Sequence, residues 1–259
     1  MIKPILISRK PLNDDEKESV QKDVTNPNLN NQNINDRIMI LNGDIEDNNI
    51  STIISNISKI SLTDTINDMT YKNYTRYPIY LFIQSFGGSI YDAFSLIDII
   101  LTSDTPVYTF CSGYAMSAAF LIFISGHYRY VTRHARLLYH QISSFEYGKV
   151  KDIIENVDEL KYLQDMMETY VTEHTKLTKE ELQKAYKHKK DIYYNADECI
   201  KKGIADEIVT EAFVRNPIAI ISNDDSNKEE DKKETKKETK KTTNGKSSTS
   251  KTKKKKEGK

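Results

Sequence analysis

The chain has 259 residues, 37% of them hydrophobic, which is enough for one sizeable core and excludes a chain disordered throughout. Its formal net charge is zero but unevenly spread: residues 223–259 hold 14 lysines against 8 acids, while the body before them holds 24 basic residues against 30 acidic ones. Two cysteines are too few for a disulfide framework, no secretory apolar core stands at the N-terminus, and the longest apolar run, Ala115 to Ser125, is about half of the roughly 20 residues a membrane span needs. A cytoplasmic or other reducing compartment and no membrane are therefore expected.

Residues 1–35 open on a short apolar stretch, Ile2 to Ile7, and then become polar and asparagine-rich with no sustained period; they read as a flexible arm. From Arg37, Arg-Ile-Met-Ile-Leu-Asn-Gly-Asp-Ile reads as a strand ending in a turn. The isoleucines at 50, 53, 54, 57 and 60 then fit one face of a helix. Residues 61–76, rich in Thr, Asn and Asp, are expected as a surface loop. Ile79 to Gln84 is a continuous apolar strand running into Ser85-Phe86-Gly87-Gly88-Ser89 and a helix from about Ile90 to Leu101. Glycines tolerate positive φ and let another backbone come close, so this turn can present N–H groups to an extended peptide or a developing anion, or serve only as a tight turn.

Val107 to Ser112 reads as a buried strand, Gly113 as a turn, and the residues after it as an apolar helix, which puts Ser117 where a strand hands over to a helix N-terminus. The free N–H groups of a first helical turn favour negative charge, and Ala115, Ala118 and Ala119 are small enough to let a substrate backbone reach the hydroxyl. On this stretch alone, a small helix-start residue packed in a core is the commoner reading. Tyr128 to Thr132 and Ala135 to Gln141 read as further strands, the second carrying His140. Hydrophobic strands alternating with helices argue an α/β fold with a mainly parallel sheet.

Gly148 to about Thr175 is a long charged helix whose apolar stripe, Ile153, Ile154, Val157, Leu160, Leu163 and onward to Val171, needs a cover beyond a small domain. Thr178 and Glu181 form a capping box for a second helix. The segment from Asp191 crosses into a helix ending at Gly203, and Ala205 to Val209 is a last strand. From Asn223 the repeated Lys-Lys-Glu-Thr has nothing to bury and reads as a disordered tail; its interleaved glutamates and lack of aromatics argue against nucleic acid as a partner.

Ser117, His140 and Asp191 are chemically matched. A serine hydroxyl needs an imidazole to take its proton, and the imidazole needs an acid on its other nitrogen. Composition and spacing do not by themselves bring the three together.

The arrangement closely resembles the Clp protease proteolytic-subunit family of serine peptidases over about residues 37–210. Tyr80-Leu-Phe-Ile-Gln-Ser-Phe-Gly-Gly-Ser-Ile is similar to the family's strand and Ser-Pro-Gly-Gly loop, with Phe86 in place of the proline. Gly113-Tyr-Ala-Met-Ser matches its nucleophile motif, Leu138-Tyr-His-Gln its histidine motif and Asp191-Ile-Tyr-Tyr-Asn-Ala its acid motif. The resemblance implies Ser117 as nucleophile, His140 as general base and acid, and Asp191 as the orienting carboxylate, with Asp197 the next acid to test. It implies Gly88 and Ala118 as oxyanion-hole donors, and Gly87, Gly88 and Ser89 as a substrate-binding loop. It further implies a crotonase-like ββα superhelix with a projecting handle helix, a peptidase domain over 36–212 between the arm (1–35) and a lysine-rich tail (213–259), and stacked homo-oligomeric rings. A polypeptide substrate, an AAA+ unfoldase as candidate partner, and neither cofactor nor metal complete the expectation. The alternatives are a catalytically weak or inactive subunit of a mixed ring, a phage-type maturation protease, and an acyl-CoA enzyme of the crotonase type. The last does not need these three residues in this order.

Overall fold

The computed structural model describes residues 34–209, with 73 and 189 excepted; the expected tail (213–259), the last residues of the expected peptidase domain (210–212) and all but residues 34 and 35 of the expected arm (1–35) lie outside the described residues. Among the described residues, seven strands form one sheet. Strands β1 (Ile38–Asn42), β2 (Ile79–Ser85), β3 (Val107–Met116), β4 (Tyr128–Thr132) and β7 (Glu207–Val209) lie side by side in that order, each pair parallel. Strand β5 (Arg136–Tyr139) runs parallel to the far end of β3, and β6 (Ile192–Tyr194) pairs antiparallel with β5. The helices are α1 (Asp47–Thr70), α2 (Ile90–Thr102), α3 (Ala118–Ile124), α4 (Val150–His174), α5 (Lys179–His188) and α6 (Ala196–Lys201). This is the mixed α/β architecture, a parallel sheet with helices, that the alternating pattern predicts.

The core forms where the periodicities agree. Alternate residues Ile79, Leu81 and Ile83 of β2 and Val107, Thr109 and Cys111 of β3 are fully buried. Against them pack Ile50, Ile53 and Ile57 of α1 and Ala93, Leu96, Ile97 and Ile100 of α2, each set spaced as one helix face. All seven residues of α3 are buried, so this helix is enclosed on every side. Each large apolar side chain so buried contributes roughly 1.5–3 kcal/mol, which fixes the strand-to-helix turn before α3 from both ends. On the other sheet face, Phe82, Phe110 and Tyr130 stack across β2, β3 and β4, with ring centroids 4.8 and 4.5 Å apart.

Two expectations are corrected. Residues 61–70 are not a loop: they continue α1. Their Thr side chains, at 63, 65 and 70, bond the carbonyls of Lys59, Ser61 and Ile66 one turn back, so polar composition here marks a solvated helix face. The extension is anchored by Asp64, fully buried, which accepts hydrogen bonds from Arg37 (Nη1 at 3.0 Å, Nη2 at 2.5 Å), Thr105 Oγ1 (2.7 Å) and the Tyr74 hydroxyl (2.5 Å). Burial pushes the Asp64 carboxyl up, but the hydrogen bonds from Arg37, Tyr74 and Thr105 and the Arg37 charge outweigh it and hold the carboxyl below its ordinary value.

The second correction is at Gly113, which is not a turn. Strand β3 runs through it to Met116, and the register against β2 shifts by two residues between Ile83↔Cys111 and Ser85↔Ala115. The bulge lets β3 leave β4 after Cys111 and take up β5 from Tyr114.

Candidate active site

The site is built at the ends of β2, β3 and β5. After β2, Gly87 and Gly88 have φ of 108° and 149°, conformations that L side chains rarely adopt. A Cβ on Gly87 would lie 2.8 Å from both Met116 O and Ser117 Cβ, and one on Gly88 would lie 2.3 Å from Ile45 O. The loop is clamped to Ile45, whose N–H donates to Gly87 O and whose carbonyl accepts from Ser89 N–H, both at 2.9 Å. Because backbone groups alternate sides along an extended segment, that pairing turns Gly88's own N–H away from Ile45. It donates to no backbone acceptor among the described residues. Ser89 caps α2, its Oγ accepting from Asp92 N–H at 3.3 Å.

At the end of β3 the chain turns sharply into α3 at Ser117, with φ 56° and ψ −125°, the one non-glycine residue of positive φ among the described residues. Such a backbone costs about 1–3 kcal/mol and persists only where its surroundings over-determine it. Here the Ser117 N–H donates to Leu138 O of β5 at 3.0 Å, and its carbonyl accepts from Phe120 N–H at 3.0 Å. The next amide, Ala118 N–H, starts α3 and donates to no backbone acceptor among the described residues. Phe86 stacks on Tyr114 with centroids 4.2 Å apart, tying the glycine loop to the strand that leads into Ser117.

His140 follows β5 directly and is half-buried. With Gly88, Ser89, Ser117 and Ala118 it lines one cleft of about 390 Å³, whose apolar side is made by Ile90, Ile142, Leu160, Leu163 and Met167. Other histidines hold structural posts: His127 Nδ1 accepts from Val107 N–H at 3.1 Å, and His174 Nδ1 lies 2.9 Å from Tyr170 O. Neither cysteine competes as a nucleophile, since burial first of all pushes both the Cys111 and Cys199 thiols up to about 12.

Asp191 is exposed and does not line the cleft. The β5–β6 ladder pairs Leu137↔Tyr194, Leu138↔Tyr193 and Tyr139↔Ile192 and ends there, so His140 and Asp191 are the first residues beyond its last pair, one after β5 and one before β6. Among the described residues no hydrogen bond joins the side chains of Ser117, His140 and Asp191. Asp197, the other candidate acid, is committed elsewhere, 2.7 Å from Arg133 Nη1. Four of the five residues expected at the chemical centre thus share the cleft, and the acid stands outside it. No group of three or more His, Cys, Asp or Glu side chains among the described residues is placed to hold a metal ion, and no described helix is long and apolar enough to cross a membrane.

One network escaped the sequence reading. Gln164 and Glu168, both buried, sit one turn apart on the inward face of α4. Gln164 Oε1 accepts from Ile142 N–H at 3.0 Å, and its Nε2 donates to Tyr139 OH at 3.3 Å and to Glu168 Oε1 at 3.0 Å. The signal was present as two polar residues at i and i+4 beside Leu163, Met167 and Val171.

The Clp protease family model matches residues 21–212. The chain is similar to the protein named ATP-dependent Clp protease proteolytic subunit 1 of Prochlorococcus marinus subsp. pastoris, 25% identical over 71% of this chain and 88% of the relative. It is also similar to that named ATP-dependent Clp protease proteolytic subunit 4 of Rhodococcus jostii, 26% identical over 68% of this chain and 86% of the relative. A Synechococcus protein named ATP-dependent Clp protease proteolytic subunit 1 is 29% identical over 51% of this chain and 66% of its own length. The chain belongs to the Clp protease family, whose members are serine peptidases.

Proposed function

We propose that the protein is a serine endopeptidase that cleaves peptides or unfolded polypeptide inside an oligomeric barrel. The observation that carries the reading is the convergence in one cleft of a strained Ser117, His140, and the two backbone amides at Gly88 and Ala118 that have no backbone acceptor. Ser117 Oγ attacks the scissile carbonyl as His140 takes its proton. The carbonyl oxygen, now negative, is held by Gly88 and Ala118 N–H, a type of contact worth about 10²–10³ in kcat per donor. His140 then gives the proton to the departing amine, and water activated by the same imidazole frees the acyl group from Ser117. Asp191 is the orienting acid. Its place as the first residue before β6, next to the last ladder pair beyond which His140 follows β5, supports this role.

Assembly into stacked rings is supported by the N-terminal half of α4, where Val150 (73% exposed) and Ile154 (56%) stand open next to the exposed Phe145 and Tyr147. An AAA+ partner that delivers unfolded chain is part of the proposal and rests on the relatives' printed ATP dependence. A second reading, a non-catalytic subunit of a mixed ring, is favoured by one observation, the exposed Asp191 unlinked to His140. A fluorophosphonate probe separates the two. Labelling of the assembled protein that disappears in Ser117→Ala, together with loss of fluorogenic-peptide turnover, is expected for the peptidase. Absence of labelling in the assembled wild type would leave the subunit reading.

A further inference from the structure

Resting on the reading of His140 as general base, we infer that Gln164 is a positioning residue that holds the histidine segment through its two neighbours. His140 is the first residue after β5, in irregular chain that no sheet ladder secures beyond Tyr139 among the described residues. Gln164 supplies what the ladder does not. It takes the backbone N–H of Ile142 on one side of His140 and reaches the Tyr139 hydroxyl on the other, so one side chain spans the residue before His140 and the second residue after it. Its own orientation is set by Glu168, which accepts the Nε2 proton and leaves Oε1 as the only end able to face Ile142. Glu168 is in turn held by Gln183 at 3.5 Å and has Lys179 Nζ at 4.0 Å. All three polar ends of Gln164 are used, and at 8% exposure water cannot readily replace them.

The arrangement fixes a definite exchange of roles. In Gln164→Met the shape is kept while the Ile142 N–H and Tyr139 hydroxyl lose their partner. In Gln164→Glu a second carboxylate faces Glu168 at hydrogen-bond distance, and the pair repels. In the swap Gln164→Glu with Glu168→Gln, the new glutamine donates to the new carboxylate, which still accepts from Ile142 N–H and now accepts from the Tyr139 hydroxyl turned about. Misplacement of a reacting group by an ångström costs on the order of 10- to 100-fold in rate.

The test measures fluorogenic-peptide kinetics and thermal unfolding of the full-length protein for wild type, the two single variants, the swap, and His140→Ala. Expected are kcat lower by about 10- to 100-fold in both single variants with KM within about twofold, and recovery to within about threefold of wild type in the swap. Full kcat in Gln164→Met or Gln164→Glu, or a swap no better than Gln164→Glu while still folded, overturns the inference. So does a variant series in which activity per folded molecule is constant and only the melting temperature moves. His140→Ala separates the two levels: turnover there sinks the assignment of the base itself, whereas an inactive His140→Ala beside a fully active Gln164→Met sinks only the role of Gln164. Lack of turnover in assembled wild type removes both.

Discussion

Replacing Gly87 by alanine perturbs the contact between the glycine loop and the nucleophile's backbone in a way that can be worked out in advance. The new Cβ would stand 2.8 Å from Met116 O and from Ser117 Cβ, so reaching ordinary contact at 3.4 Å moves loop and elbow apart by about 0.6 Å. The φ of 108° adds strain of about 1–2 kcal/mol for an L residue, which for a domain of this size lowers the melting temperature by several degrees. Gly43 provides a matched control, because its φ is 93° and a Cβ there meets nothing within 4 Å. Gly43→Ala should carry a similar loss of melting temperature with kcat unchanged within about twofold, while Gly87→Ala should also lose about 10- to 100-fold in kcat and in the rate of fluorophosphonate labelling. The assay is peptide turnover normalised to folded protein, with scanning calorimetry on the same samples. If Gly87→Ala labels and turns over like wild type, or if Gly43→Ala loses as much rate, the argument that close approach of Gly87 sets the elbow is refuted.

Asp191→Asn should cut kcat by roughly 10³- to 10⁴-fold with little change in KM if the acid fixes the imidazole tautomer, and by less than about threefold if Asp191 is a strand-edge residue only; steady-state kinetics on the assembled protein decides. Asp64→Asn removes one member of a buried ion pair and should cost about 3 kcal/mol, seen as an earlier urea midpoint. The sign of its pH dependence follows from a carboxyl held below its ordinary value of 3.8: the stability it supplies is full above that value and is lost as pH falls through the lower, folded-state value. The gap between wild type and Asp64→Asn in urea unfolding should therefore be widest near neutrality and narrow below about pH 4; a gap that widens on acidification would contradict the clasp.

Much of the scaffold is legible in the sequence because local and tertiary preferences agree there. Isoleucines at helical spacing became the inward face of α1, and the box at Thr178 forms as expected, Thr178 N–H to Glu181 Oε2 at 3.1 Å and Glu181 N–H to Thr178 Oγ1 at 3.3 Å. The extension of α1 past Ile60 was hidden because its evidence is long-range: Asp64 looks like a loop acid until Arg37 and Thr105 are found around it. Gly113 misled for the opposite reason, a local turn signal overruled by the change of partner from β4 to β5. In the site, the glycines and Ser117 are readable because strand, turn and helix lie next to one another along the chain. The relation of Asp191 to His140 depends on the register of two short strands and on side-chain placement, which spacing along the chain does not encode.

The anchoring of Ser117 on Leu138 O orders events in time as well as in space. During synthesis the serine emerges before β5 exists, so of the two backbone bonds that hold it at φ 56° the one to Leu138 O has no acceptor until that strand is made. His140 follows only with the strand that supplies the missing acceptor, and β6 with Asp191 later still. A chain still on the ribosome, or one truncated before β5, carries the hydroxyl without the geometry. The strained backbone at Ser117 thus belongs to the completed unit and not to the strand and helix that flank it in sequence.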